Sequence, residues 1–144
     1  MPLDLYVAED SKGTNKKLIE VPNPIDSNFE AFDGGNKTKE RNHRVITNSK
    51  TVIWNGPQGF FENPGFRNAS YGVLDSMIEC TKKGGFTIAG GGETGACIMT
   101  RPGAEKELSH VSTGGGATLE LLEGKVLPGV DFLTNVEDLP KIKL

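Results

Sequence analysis

Short apolar runs punctuate an otherwise polar chain, and their spacing predicts its elements. Residues 3–8, LDLYVA, alternate between apolar and polar and predict a strand; residues 18–21, LIEV, predict a second. Residues 38–48 fit a polar surface helix, although Arg41, His43 and Arg44 interrupt any clean apolar stripe. Around these pieces lie loop-forming stretches at 11–15 and 33–36, so residues 1–50 read as loop-rich.

From residue 51 one order occurs three times: a β-branched apolar run, a glycine-containing loop, then a segment of helical pattern. The first unit runs from 51–54 through the loop 55–59 to a helix over 68–83. Within that helix Val73, Leu74, Met77, Ile78 and Thr81 follow i, i+3, i+4 spacing, and Gly84-Gly85 ends it. The second unit joins 86–89 through 90–94 to a short helix at 95–99. The third joins 110–113 through 114–116 to a helix at 117–122, closed by Gly124. Strands that alternate with helices pair in parallel through right-handed crossovers and carry the helices on the sheet faces. The fold class is therefore α/β, an open parallel sheet with flanking helices in three Rossmann-like layers.

Composition narrows the function. A length of 144 residues suits one compact unit. Sixteen basic against nineteen acidic residues give a net charge of −3, with no basic cluster to track a phosphodiester backbone, so nucleic acid is not an expected partner. No apolar run approaches the ~20 residues of a membrane span, and the first residues lack a signal-like basic and apolar block. A soluble, unprocessed, cytoplasmic chain is expected, with no membrane partner. The terminal Ile142-Lys143-Leu144 is a distant variant of a Ser-Lys-Leu address and offers a peroxisome-like organelle as the alternative. Cys80 and Cys97 fall in helical segments without nearby Cys or His, which argues against a disulfide or zinc site and for packing roles in a reducing compartment. Trp54 reads as core and His110 as a core or rim histidine.

Nineteen glycines are present and only three of them precede residue 51. In an open parallel sheet every strand-to-helix loop lies at the carboxyl edge, so the loops at 55–59, 90–94 and 114–116 should share one cleft. A glycine-rich loop entering a helix lets backbone N–H groups approach an anion without Cβ hindrance, and the helix N-terminus adds roughly half a positive charge. Two triple-glycine loops facing one volume point to a ligand with several phosphate groups. The dinucleotide fingerprint and the P-loop motif are both absent. From pattern alone the chain is a phosphate-binding α/β domain.

Three strings carry a resemblance: VIWNGPQGFFE at 52–62, GGGET at 90–94 and SHVSTGGGATLELLEGKVLPGV at 109–130. In this order they resemble the phosphoglycerate kinase family, and residues 3–10 resemble the strand that opens this part of it. The likeness covers nearly the whole chain but only about the final third of such an enzyme. It implies that residues 1–144 are the C-terminal portion of the nucleotide-binding domain. The implied reaction is phosphoryl transfer between 1,3-bisphosphoglycerate and ADP in glycolysis, giving 3-phosphoglycerate and Mg-ATP. By matching position, Asn55, Gly56 and Pro57 would border the nucleoside, with Phe61 nearby and Glu62 accepting from the ribose hydroxyls. Gly91, Gly92, Glu93 and Thr94 would meet the nucleotide phosphates, Glu93 also holding Mg²⁺. Gly114 and Gly115 would donate N–H groups to the phosphoryl in flight.

Two departures from the family are informative. The family has Asp where Glu93 stands, and one extra methylene moves the carboxylate by roughly 1.5 Å against a cation that demands distances of about 2.0–2.1 Å. The N-terminal domain with its triose-phosphate site and the nucleotide-phosphate lysine are absent from these residues, and neither Arg67 nor Arg101 is placed to replace them. The resemblance thus implies a fragment, inactive alone, of a monomeric enzyme that meets 3-phosphoglycerate through its other domain. A catalytically silent nucleotide-binding or assembly module derived from that enzyme is the alternative.

Overall fold

The computed structural model describes residues 1–135 and contains two three-stranded sheets. The first is built from β1 (Asp4–Ala8), β2 (Lys17–Glu20) and β3 (Glu30–Gly34), in the order β2-β1-β3 and antiparallel throughout. The second is built from β4 (Thr51–Asn55), β5 (Phe86–Gly90) and β6 (His110–Ser112), in the order β4-β5-β6 and parallel throughout. Helices α1 (Asn36–Thr47), α2 (Asn68–Lys82), α3 (Gly92–Met99), α4 (Gly115–Leu122) and α5 (Pro128–Asp131) complete it. The α/β class and the parallel sheet are as the alternation implied. The first sheet departs from the expected pattern: its strands are antiparallel with β1 in the centre, and β3 falls partly on the stretch 33–36 read as loop.

The apolar core belongs to the parallel sheet. Trp54 of β4, Ala89 of β5 and Cys97 and Ile98 of α3 cluster with Val73, Leu74, Met77 and Ile78 along one stripe of α2. Leu74, Met77, Cys97 and Ile98 are fully buried there. The i, i+3, i+4 spacing of α2 thus does what an amphipathic period predicts. That helix ends where Gly84 turns left-handed at φ 88°. There the Gly85 N–H donates back to the Cys80 carbonyl at 2.9 Å, the closure that spares the last carbonyls of a helix from being orphaned.

The antiparallel sheet contributes little apolar mass. Val7 and Ala8 are its buried hydrophobics, beside the buried carboxylates Asp4 and Asp33. Each carboxylate serves a helix that lacks its own side-chain cap. Asp4 accepts from the N–H groups of Lys37 at 3.0 Å and Thr38 at 2.8 Å, at the start of α1. Asp33 accepts from Asn68 N–H at 2.7 Å and Ala69 N–H at 3.2 Å, at the start of α2. A negative group at the positive helix end is the favourable arrangement. The two sheets are therefore joined through helix starts.

Cys80 and Cys97 are both buried and unpaired, as packing residues should be. Among the described residues no helix is long and apolar enough to cross a membrane. Residues 142–144 lie outside the described residues.

Candidate anion-binding rim at the strand ends

The three strand-end loops meet. Gly91, the residue before α3, sits at φ 100°, a backbone conformation that suits glycine. A Cβ built there would lie 3.2 Å from Asn55 Oδ1, 3.7 Å from Gly115 Cα and 3.7 Å from Thr94 Oγ1. A Cβ built on Gly115 would in turn lie 3.2 Å from Gly91 Cα. Close approach of the second and third loops is what these glycines permit, and Asn55 from the first loop lies against both.

Hydrogen bonds stitch this meeting point. Gly56 N–H donates to Thr94 Oγ1 at 2.7 Å, tying the first loop to the second through a hydroxyl that is fully buried. Gly91 N–H donates to the Ser112 carbonyl at 3.1 Å, tying the second to the third. Asn55 Nδ2 reaches the Gly115 carbonyl at 3.4 Å. Gly114 N–H donates to Ser112 Oγ at 3.2 Å, so that amide already has a partner. The signal that the sequence offers for Ser112 is its place at the end of a strand, two residues before the first of three glycines.

What this leaves open is a pair of helix starts. Neither α3 nor α4 has a side-chain cap, so the first-turn amides from Gly92 and from Gly115 lack the usual local acceptor. Each start carries a partial positive pole, and the Gly91–Gly115 approach sets the two poles side by side. Like poles at that distance favour an anion between them.

The remaining predicted residues take distinct places. Glu93 is exposed in the first turn of α3. Pro57 is half-buried and Glu62 exposed. Phe61 is only 7 % exposed and packs in the core with Trp54, so its ring supports the loop from below. Trp54 is likewise core, its Nε1 donating to the Gly56 carbonyl at 2.6 Å. His110 is exposed on β6. Arg67 donates to the backbone carbonyls of Phe61 and Glu62, and Arg101 pairs with Asp75. Both arginines are committed away from the rim. Burial pushes the Cys97 thiol above its ordinary range, in keeping with a packing role.

The fold and rim define an α/β protein with two uncapped helix starts set side by side at the carboxyl edge of a parallel sheet. The family model described as phosphoglycerate kinase matches residues 1–125, and the chain belongs to that family. The phosphoglycerate kinase of Plasmodium falciparum is 48 % identical over 136 residues, covering 94 % of this chain and 32 % of the relative. Phosphoglycerate kinase 2 of Rhizopus niveus is 50 % identical over 135 residues, covering 93 % and 32 %. Among solved structures, that of phosphoglycerate kinase from Coxiella burnetii superposes with a TM-score of 0.80 at 32 % identity, over 93 % of this chain and 34 % of that one. The enzyme from Pyrococcus horikoshii gives 0.74 at 27 % identity. The chain spans about a third of the length of the relatives it matches, and the matched part is their C-terminal region.

Proposed function

We propose that this chain supplies the nucleotide-binding part of a phosphoglycerate kinase, which moves a phosphoryl group between 1,3-bisphosphoglycerate and ADP to give 3-phosphoglycerate and ATP. The observation that carries the reading is the pair of uncapped helix starts, α3 and α4, brought together at Gly91 and Gly115. A chain of phosphates is the anion that fills two such starts at once.

In this reading Asn55, Gly56 and Pro57 border the nucleoside and the exposed Glu62 accepts from the ribose diol. Phe61 holds that loop from the core. Gly91 and Gly92 bring the α3 amides to the nucleotide phosphates, with Glu93 and Thr94 beside them. Thr94 acts there through its amide, since its hydroxyl accepts from Gly56 N–H. Gly115 offers its amide to the transferring group, where charge spreads over three equatorial oxygens, and Gly114 makes the turn that allows it. The acceptor is already an oxyanion, so no general base is needed, which accords with a rim whose one histidine nearby in sequence, His110, lies outside the glycine loop.

Mg²⁺ fits as a nucleotide-borne ion. Among the described residues no cluster of three or more His, Cys, Asp or Glu could cage a metal, and Mg²⁺ is commonly held by one or two carboxylates plus substrate phosphates. Glu93 is the residue that would hold it, directly or through a water. The ion supplies charge neutralisation on the phosphates when bound.

Calorimetry with ADP, with and without Mg²⁺, tests the reading. Gly91→Val forces a β-branched residue into a left-handed conformation against Asn55, a strain of about 1–3 kcal/mol at the rim. We expect ADP affinity to fall at least ~10-fold while the core stays folded. Unchanged affinity in a folded Gly91→Val variant refutes the site. A coupled kinase assay after adding the complementary N-terminal part separates an enzyme from a silent module: ADP binding without rescue supports the module.

A further inference from the structure

The stretch from Asn55 to Glu62 is tied to β3 on one side and to the start of α2 on the other. Phe60 N–H donates to the Phe32 carbonyl of β3 at 2.7 Å, and Gln58 N–H donates to the fully buried Ser70 Oγ of α2 at 2.9 Å. Arg67, the residue before α2, donates to the carbonyls of Phe61 and Glu62. One side chain lies where these ties converge. Asp33 follows Phe32 on β3 and is 3 % exposed, and its carboxylate accepts from the N–H groups of Gly34, Asn68 and Ala69. It therefore holds the strand and the helix start together.

Gly59 rests on the same carboxylate. A Cβ built there would overlap Asp33 Oδ1 and come within 2.8 Å of Asp33 Cγ and of the Phe66 carbonyl. Close-packed interiors leave no slack for such an overlap, so the loop sits against this buried anion only because residue 59 has no side chain. Asn55, Gly56 and Pro57 lie immediately before that seat and Glu62 just after it.

We infer that Asp33 is a positioning residue for the nucleoside: by seating Gly59 against the start of α2, it sets where Asn55, Gly56, Pro57 and Glu62 stand, although it meets no ligand itself. The inference rests on the nucleotide reading above. Asp4 supplies the contrast. It is equally buried and caps a helix in the same way, but its carboxylate takes the amides of Lys37 and Thr38 at α1, away from the loop. A carboxylate that only stabilised the fold would behave as Asp4 does.

Two measurements test it: calorimetry with ADP, and the emission of Trp54, the chain's single tryptophan and a donor to the Gly56 carbonyl. Asp33→Ala should weaken ADP at least ~10-fold and shift the emission. Asp4→Ala, though destabilised, should bind ADP within ~2-fold of the parent and leave the emission unaltered. Asp33→Asn keeps the shape and one acceptor, and should recover most of the lost affinity. If Asp33→Ala does not fold, Gly59→Ala pushes the loop off the carboxylate from the other side and should show the same loss. Equal losses in Asp33→Ala and Asp4→Ala overturn the inference. So does a folded Asp33→Ala or Gly59→Ala that matches the parent in affinity and emission. If the parent binds no ADP, the nucleotide reading fails by itself: emission shifted in Asp33→Ala but not in Asp4→Ala still supports the seat, and equal emission overturns it.

Discussion

The two sheets are held by different forces. The parallel sheet and its helices enclose an apolar cluster from Trp54 to Leu108, with Leu74, Met77 and Ile98 fully buried. The antiparallel sheet offers Val7 and Ala8, and is fastened by Asp4 and Asp33 to the starts of α1 and α2. Apolar burial is non-directional and tolerates small shifts, whereas a carboxylate that accepts two or three N–H groups fixes position. The first region supplies the mass on which a rim can rest; the second sets the helices at defined places against it.

Removing mass should act most strongly. Leu74→Ala deletes a fully buried side chain at the centre of the parallel half and should cost about 3–5 kcal/mol, read as a lowered urea midpoint for the whole chain. A loss confined to the antiparallel sheet would show that the core has been misplaced.

Removing a fastening should act next. Asp4→Ala leaves the buried amides at the start of α1 without acceptors, together with the Thr38 hydroxyl that donates to the same carboxylate at 2.7 Å. About 2–4 kcal/mol should be lost. Hydrogen exchange should quicken in β1, β3 and α1 while α3 keeps its protection. Uniform quickening would mean that the halves are one cooperative unit.

The smallest effect sharpens the comparison through pH. Burial pushes the Asp33 carboxyl up to about 6, against the amides of Ala69, Asn68 and Gly34 and the charge of Lys16, which pull it down. The folded chain then holds this proton more tightly than the unfolded one, whose carboxyl has the ordinary 3.8. Its stabilising effect is complete below about 4 and drains away as pH rises through 6, by about 1–3 kcal/mol. Asp4 behaves oppositely: although burial raises its carboxyl, the Thr38 and Lys37 donors and the Lys37 charge hold it below the usual value. Its contribution is present above 3.8 and lost as pH falls through the lowered folded value. Urea midpoints between pH 4 and 7 should decline in the parent and flatten in Asp33→Asn. An unaltered slope in that variant would assign the decline to another group.

The same contrast explains what could be read in the letters. In the parallel half each strand, loop and helix is contiguous, so β4 with α2, β5 with α3 and β6 with α4 stood out as repeated units, and Gly84 marked the end of α2. Both helices start earlier than the pattern predicts: α3 begins at Gly92 and α4 at Gly115, where glycine's weak helix propensity hides a first turn stabilised by tertiary setting. In the antiparallel half β3 was hidden because Asp33 is buried and paired with amides 35 and 36 residues away, a bond that no local pattern announces. The start of α1 at Asn36 was missed for the same reason, its cap being Asp4. Of the rim, the glycines and Asn55 were legible from the motif strings. The roles of Ser112 and of the Thr94 hydroxyl, both spent on holding loops together, required coordinates.

The contact between Gly91 and Gly115 has no side chain on either partner. Evolution ordinarily retunes a pocket by exchanging side chains, and here there is none to exchange: any larger residue at either position separates the helix starts. Change at the rim is therefore channelled to the neighbours, to the stretch from Asn55 to Glu62 and to Glu93, whose side chains can be exchanged without parting the two helix starts.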